Sequence, residues 1–225
     1  MNKNGNNTRV LGNNTSYNLN KYVRESHNCY SYFLNLKSNG AYELCKTELN
    51  NNDYCKRSQP GYASGYPRLK TSDFNCPTIM KRTLDDNKNI FRIDKKKSCP
   101  AGYYKGAMVV APGRDYHYYR QNDDGLYQHK PGYKPVQKTD SNGNIITDPE
   151  TAARDYGGTL NYTDFCGFLC VPRDPSKKKM DMIPNPALAP MKEQLTNEIK
   201  QIVRKRRNAS RNAVRNVTRK NKNKR

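Results

Sequence analysis

Two of the three histidines in this chain, His117 and His129, lie twelve positions apart in RDYHYYRQNDDGLYQHKPG, residues 114–132. The third, His27, stands two residues before a cysteine in SHNCYSYFL. Imidazole changes charge near neutral pH and suits proton transfer. A thiol becomes a nucleophile when a base takes its proton. The Asp124-Gly125 pair is a turn signal, and the tight turn falls at Asp123-Asp124 or at Asp124-Gly125. Folded there, His117 and His129 fall nearly opposite one another, with Cβ atoms about 5 Å apart, so one ring can orient the other. Asn28 can cap a helix starting near Cys29, with Ser26 and His27 as alternative caps. First-turn N–H groups and the helix dipole favour a thiolate at that position. The expected arrangement is a thiolate–imidazolium pair of Cys29 and His117, with sulfur and nitrogen about 3–5 Å apart. His129 is expected to orient His117, with Gln128 and Asp148 as substitutes, and His27 to be a helix-entry residue.

The elements that would position these groups are legible in part. The helix after Asn28 offers Tyr30, Phe33 and Leu34 to a core. Residues 38–100 carry QPG, YPR, NCP and SCP breaks, which predict loops and short helices. GAMVVAPG reads as a buried strand, with Met108, Val109 and Val110, ended by Pro-Gly. HYYRQ and LYQH form the next two strands. Asn142-Gly143 marks another turn with a short strand at Ile145 and Ile146. LNYTDFCGFLCVP supplies a last apolar strand or short helix. The resulting division is a disordered Asn-rich segment over 1–20, an α+β domain over 21–172, a Pro-rich linker over 173–190 and a basic tail over 191–225.

A cysteine at a helix start, then a buried strand, then a histidine opening a strand, then a polar residue on the next strand: this order resembles the papain-like peptidases. It is most similar to their NlpC/P60 branch. The resemblance covers about residues 28–33 and 106–132. It implies a helix bearing Cys29 packed on an antiparallel sheet, with Cys29 as nucleophile, His117 as general base and His129 as orienting residue. It also implies a peptide, amide or ester substrate and no cofactor. NCYSYFLN, DYHYYRQNDDGLYQHKPG, GNIITDP and FCGFLCVP further resemble a set of uncharacterised proteins of large DNA viruses and bacteria. An abundance of Asn and Lys agrees with a large DNA virus and implies a virion, or the host cytoplasm or nucleus, as the setting.

Other readings of the same residues stand beside this one. A free thiol is most often a buried structural residue. His117 could be a rung in a tyrosine ladder with Tyr116, Tyr118, Tyr119 and Tyr127, and His129 a surface residue. Seven cysteines leave one thiol over if the rest pair within the chain. The N-terminus lacks the apolar run of a signal peptide, so a disulfide framework is not the first expectation. A Cys166–Cys170 bridge, a link across the long insertion, or a zinc site at CGFLC remain alternatives, although a second close cysteine pair for zinc is missing.

Bulk composition narrows the partners. Apolar residues make up 34% of the 225, with Tyr 17, Phe 5 and Trp 0, which predicts a small, polar, tyrosine-rich core. Mean hydropathy is -1.11 and the pI is near 9.7. No stretch approaches the ~20 apolar residues of a membrane span. The net charge of +21 favours a polyanionic partner. The last 34 residues hold 13 Lys and Arg against two acids. Leu195, Ile199, Ile202 and Val203 fall at helical spacing there. Arg204, Lys205, Arg206, Arg207, Arg211, Arg215, Arg219 and Lys220 are the candidates for nonspecific phosphate contact with DNA or RNA, or for an acidic virion partner. Two function classes follow: a cysteine hydrolase with a basic tail, or a non-enzymatic virion component that uses the tail to bind nucleic acid or capsid partners. Asn-X-Ser/Thr sequons are expected from the Asn-rich composition alone.

Overall fold

The structure is a computed structural model that describes residues 15–183 together with Gln201, Arg204 and Asn208. The chain divides into two compact units, Met1–Asn185 and Pro186–Arg225. The first is α+β, as expected. Its helices are α1 (Thr15–Asn18), α2 (Lys21–Ser26), α3 (Cys29–Leu34), α4 (Asn39–Asn50) and α5 (Cys76–Asp86). Its strands are β1 (Phe91–Ile93), β2 (Tyr103–Ala111), β3 (Asp115–Gln121), β4 (Tyr127–His129) and β5 (Asp164–Pro172). They form one antiparallel sheet in the order β1-β5-β2-β3-β4, with the last strand inserted beside the first. Among the described residues no helix is long and apolar enough to cross a membrane.

Side chains alternate across the sheet and build two cores. On one face, Met108, Val110, Tyr116, Tyr118, Leu169 and Val171 pack against Tyr30, Phe33 and Leu34 of α3 and Ile79 and Met80 of α5. On the other, Ala107, Val109, Ala111, Tyr119, Tyr127 and Phe168 are covered by Ile146 and Tyr162 from the segment between β4 and β5. Fully burying a large apolar side chain contributes about 1.5–3 kcal/mol, so both faces of the sheet add to stability. Several tyrosines on the α3 side bury their rings but keep partners for their hydroxyls. Tyr118 meets Thr83 Oγ1 at 2.5 Å, and Tyr104 donates to Phe33 O at 2.6 Å. α3 can lie this close because Gly106 has no side chain. A Cβ there would sit 2.4 Å from the Phe33 ring and 3.0 Å from Tyr119 O.

Three disulfides tie the insertion down: Cys45–Cys55, Cys76–Cys166 and Cys99–Cys170. The stretch 38–100 consists of loops and short helices, as expected, with α4 and α5 spanning 12 and 11 residues. Neither the Cys166–Cys170 bridge nor a zinc site at CGFLC forms, because those two cysteines bond to different partners. Among the described residues no cluster could hold a metal ion. A register shift at Met108/Val109 leaves Cys166 bulged between Phe165 and Gly167, where it reaches Cys76.

Both domain boundaries lie farther out than expected. Residues 15–20, placed in the disordered segment, belong to the fold. Tyr17 is buried and donates to Leu36 O at 3.2 Å, and Asn18 Oδ1 accepts from Val136 N. Residues 173–180, placed in the linker, also pack on the domain. Asn89 Nδ2 donates to Lys177 O, and Lys179 N donates to Asn87 Oδ1. In the second unit, Gln201, Arg204 and Asn208 are helical and exposed. Lys205, Arg206, Arg207, Arg211, Arg215, Arg219 and Lys220 lie outside the described residues, as do residues 1–14.

Candidate active site

β4 pairs with β3 only at Tyr119, Arg120 and Gln121, so the edge of β3 from Asp115 to Tyr118 is left open. The start of α3 fills part of that gap. Asn28 caps it, with Oδ1 accepting from Ser31 N at 3.3 Å and Nδ2 donating to Ser58 O at 2.8 Å. Cys29 is thereby fixed at the first helical position with its sulfur 3.9 Å from Tyr116 O. The six other cysteines are in disulfides, so Cys29 is the free thiol that the odd count requires. Beside it opens a cavity of about 560 Å³ whose lining includes Cys29, Arg57, Asp115, His117, His129 and Tyr162.

The two imidazoles are joined directly. His117 Nε2 and His129 Nδ1 are 2.7 Å apart, with the rings near perpendicular. His129 Nε2 lies 3.0 Å from Thr139 O. A carbonyl only accepts, so neutral His129 must carry its proton on Nε2 and offer a lone pair at Nδ1. His117 must then donate from Nε2, which leaves its own Nδ1 unprotonated. One backbone carbonyl thus sets both tautomers and makes His117 Nδ1 the basic atom of the pair.

The contact arises from a register one pair off the expected one. His129 stands opposite Tyr119, and His117 is its diagonal neighbour on the same face. Diagonal neighbours are about 7–8 Å apart at the backbone, within reach of long side chains. His117 also approaches Cys29 differently from expectation. The alternation that turns Tyr116 and Tyr118 toward α3 turns His117 to the other face, against Tyr119 and Tyr162. Thiol and imidazole therefore enter one cavity from the two sides of β3, and no hydrogen bond joins them among the described residues.

Charge is also arranged differently. Burial raises the Cys29 thiol far above its ordinary range, with the Asp115 carboxylate adding to the rise. Burial lowers His117 well below its ordinary value, and His129 to about 4. The resting pair is thiol and neutral imidazole. Burial thus works against both charged forms, and so against the expected thiolate–imidazolium pair. Asp115 accepts from Tyr162 OH at 2.8 Å and from Tyr116 N. Behind the cavity wall, Lys130 is fully buried and donates to Arg24 O and Gly132 O at 2.6 and 2.7 Å. Burial lowers its ammonium to about 7.

The substitutes for His129 are placed elsewhere. Gln128 accepts from Tyr32 OH on the α3 side of the sheet. Asp148 binds Lys95 at 2.5 Å. His27 is a structural residue whose Nε2 accepts from Ser38 N and whose Nδ1 faces Ser26 and Val23. Sequence reading missed Thr139, Asp115, Arg57 and Tyr162. Thr139 acts through a carbonyl that carries no side-chain signal, and Arg57 and Tyr162 arrive from distant loops. Asp115, two residues before His117, was the one member within sight.

Fold and site together define a disulfide-linked α+β domain with a lone thiol and a histidine pair at an open sheet edge. The chain is 30% identical over 149 residues to insoluble matrix shell protein 1 of Ruditapes philippinarum, an alignment covering 66% of this chain and 82% of that protein. It belongs to the family of that shell protein. No family model and no solved structure matches it.

Proposed function

We propose that the domain is a cysteine hydrolase of peptidase or amidase type with a papain-like, NlpC/P60-like arrangement. The observation that supports it most is the chain Thr139–His129–His117, which leaves a basic nitrogen in the cavity that holds the only unpaired cysteine. In this reading an acyl substrate enters beside β3. The Cys29 sulfur attacks the carbonyl carbon as its proton passes to His117 Nδ1. The resulting imidazolium keeps its Nε2–H bond to His129, and it returns the proton to the leaving amine or alcohol. The Cys29 N–H, at the first helical position, lacks an intrahelical acceptor and is a donor for the developing oxyanion. Because the resting pair is neutral, proton transfer accompanies attack rather than preceding it. Hydrolysis of a panel of aryl esters and aminocoumarin amides tests this. Turnover that vanishes in Cys29→Ala, and falls at least about 100-fold in His117→Gln, supports the proposal. No turnover of any member, or equal turnover in Cys29→Ala, contradicts it.

The relative favours a second reading. Its name is that of an insoluble matrix protein. On that model the domain is a non-enzymatic structural component, of a matrix or of a virion, with three disulfides suited to an oxidising setting. The tail would then bind nucleic acid, capsid partners or another acidic neighbour. Full retention of assembly by Cys29→Ala, with no turnover by the native protein, would favour it.

A further inference from the structure

Arg57 lines the same cavity as Cys29 and His117. Its Nε donates to Glu25 O at 2.8 Å, and its guanidinium lies 5.6 Å from the centre of the Tyr133 ring. Arg57 stands in the irregular stretch just after Cys55, which the Cys45–Cys55 disulfide ties to α4. The Glu25 carboxylate lies 3.7 Å from Arg24 and acts on Arg57 through its charge without forming an ion pair with it. Nη1 and Nη2 of Arg57 hydrogen-bond nothing among the described residues. A half-buried guanidinium with an open fork and an aromatic ring beneath it matches the geometry of a carboxylate. The other cation in the lining is Lys134, which is exposed, and Lys130 lies behind. Against them stands one acid in the lining, Asp115, whose oxygens are already engaged by Tyr162 and Tyr116.

We infer that Arg57 forms an anion subsite beside Cys29, so that the preferred acyl substrates carry a carboxylate or similar anion near the bond that is cut. This rests on the hydrolase reading for the word substrate, but the subsite itself is testable without turnover. The fork of Arg57 receives the anion, Tyr133 holds the guanidinium plane, and Lys134 adds field at the mouth. Neutral acyl compounds would leave that fork without an acceptor.

The test is alkylation of the full chain, disulfides intact, by matched reagents: iodoacetate with iodoacetamide, and N-iodoacetylglycine with its amide. In each case an S–C bond forms at Cys29, iodide leaves and the thiol proton is lost. Thiolate fraction affects both members of a pair alike, so the anionic-to-neutral rate ratio reports the subsite. The ratio should exceed that of the urea-unfolded protein. It should fall about three- to fivefold in Arg57→Gln, be largely kept in Arg57→Lys, and shrink with added salt. A ratio unchanged in Arg57→Gln, or no labelling of native Cys29 by any of the four reagents, overturns the inference. Should the ratio depend on Arg57 while all rates ignore His117→Gln, the subsite stands and the hydrolase reading falls.

Discussion

Acidification should unfold this domain earlier than its carboxylates alone would suggest. His27 and His129 are buried and neutral, each lowered from 6.5 to about 4 in the fold. The unfolded chain takes up protons below pH 6.5, and the folded one does not until about pH 4. Between those values the unfolded state binds more protons, so stability falls as pH falls. At pH 5 the loss is about 2 kcal/mol for each, or about 4 kcal/mol for the two. The structural cause is direct. Protonated His27 would set an N–H against Ser38 N, and protonated His129 would set one against the His117 donor. His117 acts in the same sense, whereas Asp86 and Asp115, raised by burial, act in the opposite one. Lys130 changes little below pH 7 because its titration lies at and above that value. For a domain of this size, 4 kcal/mol shifts the melting temperature by roughly 8–16 °C. Thermal unfolding followed by far-UV circular dichroism at pH 7 and pH 5 checks this. His27→Gln should remove about half of the pH dependence. A melting temperature that is flat between the two values would refute the buried-neutral assignment.

Gly106→Ala should destabilise by about 1–3 kcal/mol in urea titration, because its Cβ meets Phe33 and the Tyr119 carbonyl. Opening Cys99–Cys170 by serine at both positions should lower stability by about 4 kcal/mol, against about 3 for Cys45–Cys55, since the closed loops span 71 and 10 residues. Removal of residues 204–225 should abolish most nonspecific duplex binding. In the full chain, six to ten phosphate contacts would give a loss of about 10³- to 10⁵-fold in affinity between 50 and 200 mM salt. Equal, salt-insensitive binding by both forms in a fluorescence anisotropy series would count against the tail as the contact.

The sequence made some of this legible and hid the rest for physical reasons. Asn28 and Cys29 announced a helix start because capping is local chemistry. Met108 to Val110 announced a strand because both faces of the sheet are covered. The histidine pairing followed from their spacing about Asp124-Gly125, although a register one pair off made it diagonal. The loops and short helices of the insertion were legible in its breaks, but the Cys45–Cys55 and Cys76–Cys166 pairings that fasten them were not. Such pairing depends on three-dimensional proximity and leaves no local signature. The state of charge at Cys29 was misread because a local cap suggests stabilisation of a thiolate, whereas burial by Tyr116 and Tyr118 is a tertiary effect. Residues 15–20 looked too polar to order, yet the single ring of Tyr17 anchors them.

The most direct test of the hydrolase reading is capture of its acyl intermediate. Native protein mixed with a p-nitrophenyl ester and quenched in acid within milliseconds should show one added acyl mass, mapped to the Cys29 peptide. His129→Ala should accumulate it more slowly, and Cys29→Ala not at all. An acyl mass on lysine or tyrosine alone, or none while the fold is intact, would contradict Cys29 as nucleophile.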